Sequence, residues 1–293
     1  MDRIIFGDNQ FLGINHISLD KAASLSQKYS KDEEIFKVLH MAKEIGINTF
    51  MFTTHERFEN VFQNMKNDNH FKDFKYIPCI PYAHKYANAI TDLGIMEGIK
   101  KYIPGNVIVT GLRGATSLIS GDYLEIMKIL VDSEMKSMKG LNVEALFLQN
   151  IVTDLLIGLG MSDILESFYE YVKNRYRIDV GIITMNHVMA TEIFVNNLKI
   201  NDIIICSPIN KIGFRMNPDK ETVETTLQLH KTKNLAMSIF ASGAIQYNEA
   251  IEYVSKLHGI DSVLFGASSY AHIKNTYDLL NSVFCNSEYR MEK

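Results

Sequence analysis

The polar and ionisable residues of this sequence gather immediately after short apolar runs. Asp8, Asn9 and Gln10 follow the first run with His16 close behind, and Thr54, His55, Glu56 and Arg57 follow the second. His84, Arg113, the pair Gln149 and Asn150, and the pair Asn186 and His187 follow later runs. A histidine beside a carboxylate suits proton transfer near neutral pH, because a free imidazole titrates at about 6.5. His55 with Glu56, aided by His16 or His84, is therefore the expected catalytic group. Asp8, Asn9, Gln10, Thr54, Arg57, Arg113, Gln149, Asn150, Asn186 and His187 are the expected substrate contacts, since polar side chains need partners once buried. Two glycine–serine turns, Ser242 with Gly243 and Gly266 with Ser268 and Ser269, offer backbone N–H groups that suit an anion such as phosphate. Arg113, Lys211 and Arg215 are candidate counter-charges.

Each feature has a plainer reading. Glu56 and Arg57 could form a surface ion pair worth at most about 1 kcal/mol, and the glycine turns could be tight connections with nothing bound. Three histidines with Asp8 or Glu56 would also make a metal donor set. Neither H-x-H nor H-E-x-x-H spacing occurs, so no metal is expected. What favours a binding site is the concentration of polar side chains behind nearly every apolar run.

Those runs lie at 3–7, 48–53, 76–81, 106–111, 143–149, 180–185, 202–207, 236–241 and 262–266. Their apolar, β-branched character suits strands buried on both faces of a parallel sheet. Amphipathic stretches separate them. Ser30 with Glu33 reads as a capping box and Gly46 as the stop of the following helix. Asn217-Pro218 reads as the start of a helix through His230, and Asn248 as the cap of one ending near Gly259. Strand, helix and strand in alternation predict an α/β fold, a single (β/α)8 barrel over 1–293. An open doubly wound sheet would be expected to carry G-x-G-x-x-G after its first strand, and none is present. Nine strand candidates compete for eight places. Either 76–81 or 106–111 is irregular, or 3–7 closes the bottom of the barrel.

The chain's 293 residues match the roughly 250 that such a barrel needs. A net charge of −4 supplies no basic field for nucleic acid, which leaves a small molecule as the expected partner. Cys79, Cys206 and Cys285 are too scattered for a disulfide framework, and no apolar leader precedes Asp8, so a reduced, cytoplasmic setting is expected. The apolar stretch 143–161 is interrupted by Glu144, Gln149, Asn150 and Asp154, which argues against a membrane span.

Glu44-Ile45-Gly46-Ile47-Asn48-Thr49-Phe50 resembles the "LGIN-x-F-DTA" segment of aldo-keto reductases. Gly266-Ala267-Ser268-Ser269-Tyr270-Ala271-His272-Ile273 is similar to the last strand and cofactor-binding helix of that family. The resemblance implies the barrel fold and NADP as cofactor, with Thr184 and Asn186 matching the positions that hold the nicotinamide amide. The family's catalytic aspartate, however, would fall at Met51, its histidine near Gln149 and its tyrosine near Glu56. No lysine ends the 76–81 run, and Ser269 replaces the basic residue for the 2′-phosphate. The chain thus reads as a divergent branch without the catalytic tetrad. The expectation drawn from these residues is a non-redox isomerase or lyase acting on a small polar metabolite, for example a phosphorylated sugar. The alternatives are an NADP-dependent reductase with a rebuilt proton relay and a catalytically inactive, ligand-sensing barrel.

Overall fold

The computed structural model describes residues 1–14, 19–81, 123–229 and 232–284. Eight strands, β1 (Ile4–Phe6), β2 (Thr49–Thr53), β3 (Lys75–Ile80), β4 (Ala145–Leu148), β5 (Asp179–Ile183), β6 (Ile204–Pro208), β7 (Lys233–Met237) and β8 (Ser262–Phe265), close into a barrel. Each pairs in parallel with the next, and β8 returns to β1 with Ile4, Ile5 and Phe6 opposite Val263, Leu264 and Phe265. The runs at 3–7 and 76–81 therefore both supply regular barrel strands, and the ring closes without the candidate at 106–111, which lies outside the described residues. The seventh strand begins three residues earlier than its apolar run suggested. Ser238, Ala241 and Ser242 adopt positive φ, which ends extended structure and turns the run 238–243 into a loop.

The outer helices are α1 (Leu19–Lys28), α2 (Asp32–Ile45), α3 (Phe58–Lys66), α4 (Tyr123–Ser137), α5 (Asn150–Gly158), α6 (Ser162–Tyr176), α7 (His187–Thr191), α8 (Lys220–Leu229), α9 (Tyr247–Lys256) and α10 (Tyr270–Phe284). Gly46 ends α2 in the left-handed region at φ 113°, as expected of a glycine stop. The other caps differ from expectation. Lys31 precedes α2 with no side-chain cap, so Ser30 and Glu33 form no capping box. Asp219, not Asn217, holds the start of α8 by accepting from the Thr222 amide at 2.8 Å. Gln246 precedes α9, which leaves Asn248 inside the helix.

Strand alternation divides the core into three parts. Ile5, Met51, Ile77, Cys79, Ala145, Phe147, Ile204, Cys206 and Leu235 fill the barrel interior. Gly181 makes room for the Phe147 ring, since a Cβ there would lie 2.3 Å from it. Outside β1, β2 and β3 the core is aromatic: Phe52 packs on Phe62 at 4.6 Å, and Phe11 edges Tyr29 at 5.0 Å. Outside β4, β5 and β6 it is aliphatic, built from residues such as Leu148, Leu165, Ile182, Ile193 and Ile205. The rigid aromatic side fixes the carboxyl ends of β1 and β2, where the densest polar group leaves the sheet.

Candidate functional site

Asp8 stands just beyond β1 at the carboxyl end of the barrel and is 8% exposed. Its Oδ2 accepts from the Thr53 amide at 2.7 Å, and the Thr53 hydroxyl also bonds to the carboxylate. Gln149, at the end of β4, donates from Nε2 to that same hydroxyl at 2.9 Å. Three strand ends, β1, β2 and β4, thus meet in one polar chain running from Asp8 through Thr53 to Gln149. Thr53 joins it because Thr49, Met51 and Thr53 alternate inward along β2. Burial drives the Asp8 carboxyl up to about 6, and the bonds from Thr53 offset only part of that rise. Cys79 lies close enough for its thiol, already raised by burial, to be raised further by the Asp8 charge. A carboxyl group poised near 6 can give or take a proton at neutral pH.

The other expected residues occupy several places. Gln10 is buried and donates to the Gly7 carbonyl at 2.7 Å, and its side chain fills the space over Gly266. Gly266 is therefore a glycine because Gln10 packs against it. Asn9 is exposed, and Asn150 is the first residue of α5. Thr54, His55 and Glu56 border a cavity between α3 and the end of α4, large enough for about one water and lined also by Phe58, Phe62 and Met138. The Thr54 hydroxyl is buried there and finds no hydrogen-bond partner among the described residues. His55 accepts from the Arg57 amide at Nδ1, and Arg57 donates onward to the Phe11 carbonyl at 2.8 Å. Arg57 thereby ties the β1 and β2 connections together. His187 is buried outside the barrel wall, its Nδ1 3.0 Å from the Ser207 hydroxyl. Asn186 caps α7 by accepting from the Met189 amide. Asp8 and Gln149 therefore converge, whereas His187 and Asn186 serve the β5–α7 corner. His16, His84 and Arg113 lie outside the described residues.

The glycine–serine turns are largely satisfied from within. The amides of Ala241, Gly243, Ala244 and Ile245 donate to the carbonyls of Ser238, Phe240 and Ala241. Ser269 caps α10 by accepting from the His272 amide, and the Ser268 carbonyl accepts from Lys28 Nζ at 2.7 Å. Lys211 pairs with Glu249, and Arg215 lies over the Phe214 ring. Two features admit an anion. Among the described residues the Tyr270 and Ala271 amides in the first turn of α10 make no hydrogen bond, and Gly243 faces open space.

Asp154 on α5 is a carboxylate that the strand-end pattern does not reveal, because it sits in the second turn of a helix. It accepts from the Thr184 hydroxyl and the Met185 amide, and burial raises it above the usual carboxylate range. Among the described residues no group of three or more His, Cys, Asp or Glu could hold a metal, and no helix is long and apolar enough to cross a membrane.

No family model and no curated protein matches this chain. Solved structures do. A Pseudomonas aeruginosa protein assigned to the aldo-keto reductases superposes with TM-score 0.56 at 14% identity, covering 96% of this chain and 90% of its own. An aldo-keto reductase from a Medee basin deep-sea metagenome library gives 0.56 at 11% identity, with 88% and 85% covered. An aldo-keto reductase from Bacillus halodurans, in its holo form, gives 0.54 at 12% identity, with 89% and 86% covered. At such identities the likeness establishes the fold: an eight-stranded parallel barrel of the aldo-keto reductase kind.

Proposed function

We propose that this protein is an oxidoreductase that interconverts a small carbonyl compound and its alcohol, with Asp8 exchanging the proton at the oxygen. The observation that carries the reading is the Asp8 carboxyl itself, buried at the barrel mouth and pushed up to about 6. A barrel enzyme places its chemistry at this end, and a proton donor needs a pKa near the working pH. Support for redox rather than another acid–base reaction comes from the fold neighbours, which are aldo-keto reductases over most of this chain.

The residues of the last two connections fit a nicotinamide dinucleotide phosphate. The amides of Tyr270 and Ala271 would hold a phosphate at the start of α10, with Lys28 and His272 nearby as basic groups. When bound, that cofactor supplies or accepts the hydride. Gln149 orients the Thr53 hydroxyl, and Thr53 holds the Asp8 carboxyl toward the mouth. Met51, 2% exposed within the barrel, presents a thioether at the position that the resemblance gives to an acid, so the proton is left to Asp8.

The same Met51 favours one second reading. With no acid there, Asp8 can instead abstract a proton beside a carbonyl, as an isomerase or lyase requires. Two assays separate the readings. The first expects NADPH oxidation with at least one member of a panel of aldehydes and ketones, falling by roughly 100-fold or more in Asp8→Asn. Deuterium incorporation from heavy water into a carbonyl compound without nicotinamide, lost in Asp8→Asn, would instead establish the isomerase or lyase reading. Full NADPH-dependent turnover in Asp8→Asn would overturn the assignment of Asp8.

A further inference from the structure

We propose that Asp154 is a positioning residue for the reaction at the mouth, holding the turn 184–186 beyond β5 so that Asn186 meets the bound molecule. The assignment rests on the reaction proposed above and gives the mouth a second wall. Asp154 is the one charged residue of α5. Its carboxylate accepts from the Thr184 hydroxyl, and the Met185 amide lies 3.2 and 3.1 Å from its two oxygens. Thr184 is fully buried, and its hydroxyl oxygen accepts in turn from the Asn186 amide at 2.9 Å. From the other side Asn217, in the β6–α8 connection, donates to the Met185 carbonyl at 2.9 Å. The turn is thus clamped between α5 and that connection.

The partners of Asp154 are both donors, so only a group that accepts at both oxygens can hold them together. An amide in its place would set one N–H against another. Burial raises Asp154 above the usual carboxylate range, the bonds from Thr184 and Met185 offset part of the rise, and no cation contributes among the described residues. Asp8 has the same hydrogen-bonded setting without a cation.

What the clamp presents is Asn186. Its side-chain oxygen accepts from the Met189 amide at 3.1 Å and caps α7. Its half-buried Nδ2 makes no hydrogen bond among the described residues. Standing past a strand end, where a barrel binds its small molecule, these N–H donors fit an oxygen acceptor of the cofactor or of the carbonyl compound. α5 also joins this wall to the first. Thr153, beside Asp154, donates to the Gln149 carbonyl at 3.0 Å, and Gln149 belongs to the Asp8 chain.

Steady-state kinetics of three variants, with NADPH and a carbonyl compound from the panel above, tests the assignment. Asp154→Asn keeps the shape but loses an acceptor. It should raise one KM about tenfold, the worth of one hydrogen bond, while kcat and the alkaline limb of the pH profile stay in place. A rise for NADPH gives the acceptor to the cofactor, and a rise for the carbonyl compound gives it to the substrate. Asn186→Asp keeps the oxygen that caps α7 and removes the donors, so the same KM should rise by about as much. The double variant should be no worse than either single one, because both break one line of contacts. Asn217→Asp, exposed and on another element, should shift the same constant in the same direction, whether or not Asp154→Asn folds. Native constants throughout, an effect confined to kcat, or effects that multiply in the double variant would overturn the assignment and leave Asp8 untouched. Should the native chain run the deuterium exchange instead, the same comparison applies to that reaction. A native chain that runs neither ends both proposals.

Discussion

The two ends of the barrel treat their carboxylates in opposite ways. At the floor, Lys75 reaches Asp2 at 2.8 Å and Glu144 at 3.4 Å, while Lys173 reaches Asp179 and Asp202 at 3.2 and 3.0 Å. Burial alone would raise Asp2 and Asp179, but these lysines, with Lys233 beside Asp179, hold both carboxyls below the usual range. At the mouth, Asp8 is more deeply buried, and among the described residues no cation contributes to its environment. Among the described residues its compensation is hydrogen bonding alone, from the amide and hydroxyl of Thr53 and from its own backbone amide. The floor carboxylates are given cations, whereas Asp8 is held by neutral donors that leave its pKa near neutrality, as the proposed proton exchange requires.

The largest effect that sharpens this contrast is at Asp8. Burial raises its folded-state pKa from the ordinary 3.8 to about 6, so the native state holds the proton longer than the unfolded chain does. The contribution to stability is therefore full below pH of about 4 and is lost as pH rises through about 6, costing on the order of 3 kcal/mol at pH 8. Asparagine carries no such cost. Asp8→Asn should match the native chain in urea unfolding at pH 4, exceed it clearly at pH 8, and lose turnover. An equal or lower stability at pH 8 would show that Asp8 is compensated after all, and the two ends would no longer differ.

Next in size is the layer that separates the ends. Gly181 and Phe147 fill the interior between floor and mouth, and Gly181→Ala drives a methyl into the ring. Overpacking of this kind costs about 1–3 kcal/mol, measurable as a lower urea midpoint. At the floor, Lys75→Met leaves Asp2 and Glu144 without their shared cation. Because Asp2 is lowered in the folded state, the lysine's contribution is present above the ordinary carboxylate pKa and disappears in acid. These groups are partly exposed, so the expected loss is about 1 kcal/mol at pH 7, shrinking toward zero below pH of about 3, with the pH dependence of turnover unchanged. A shifted pH profile would mean that the ends communicate through the core.

Much of this architecture was legible in the amino-acid order, and what was hidden has identifiable causes. Parallel strands buried on both faces leave unbroken apolar runs, so all eight barrel strands were visible. The run Ile239–Phe240–Ala241 extended the seventh candidate falsely, since apolarity does not report the positive φ at Ser238 and Ala241. Asp8 and Gln149 stood out as polar residues behind strands, and Thr53 opened the densest polar group, but no role fell to it because a β-branched residue closing an apolar run also reads as one more strand position. His187 shows the converse. Its place after β5 suggested the mouth, yet it points outward to Ser207 in the layer between barrel and helix. The raised pKa of Asp8 and the hold of Asp154 on Thr184 and Met185 depend on burial and partners, which composition does not encode.

Thr53→Val leaves the fold and the floor untouched and gives the finest test of how the mouth is tuned. The substitution keeps the shape and the backbone amide that donates to Asp8, but removes the hydroxyl that bonds both Asp8 and Gln149. That hydroxyl favours the charged carboxylate, so its loss should raise the Asp8 pKa further above 6. A hydrogen bond to a charged group is worth about 1.5 kcal/mol or more, equivalent to a shift of roughly one pH unit. The pH–rate profile in the reductive direction, which needs the protonated acid, should move its alkaline limb upward by that amount. Stability at pH 4 should change little, since the carboxyl is then neutral in both proteins. An alkaline limb that stays in place would mean that the Thr53 hydroxyl sets position rather than acidity, and that burial and the backbone amide alone fix the acid at the mouth.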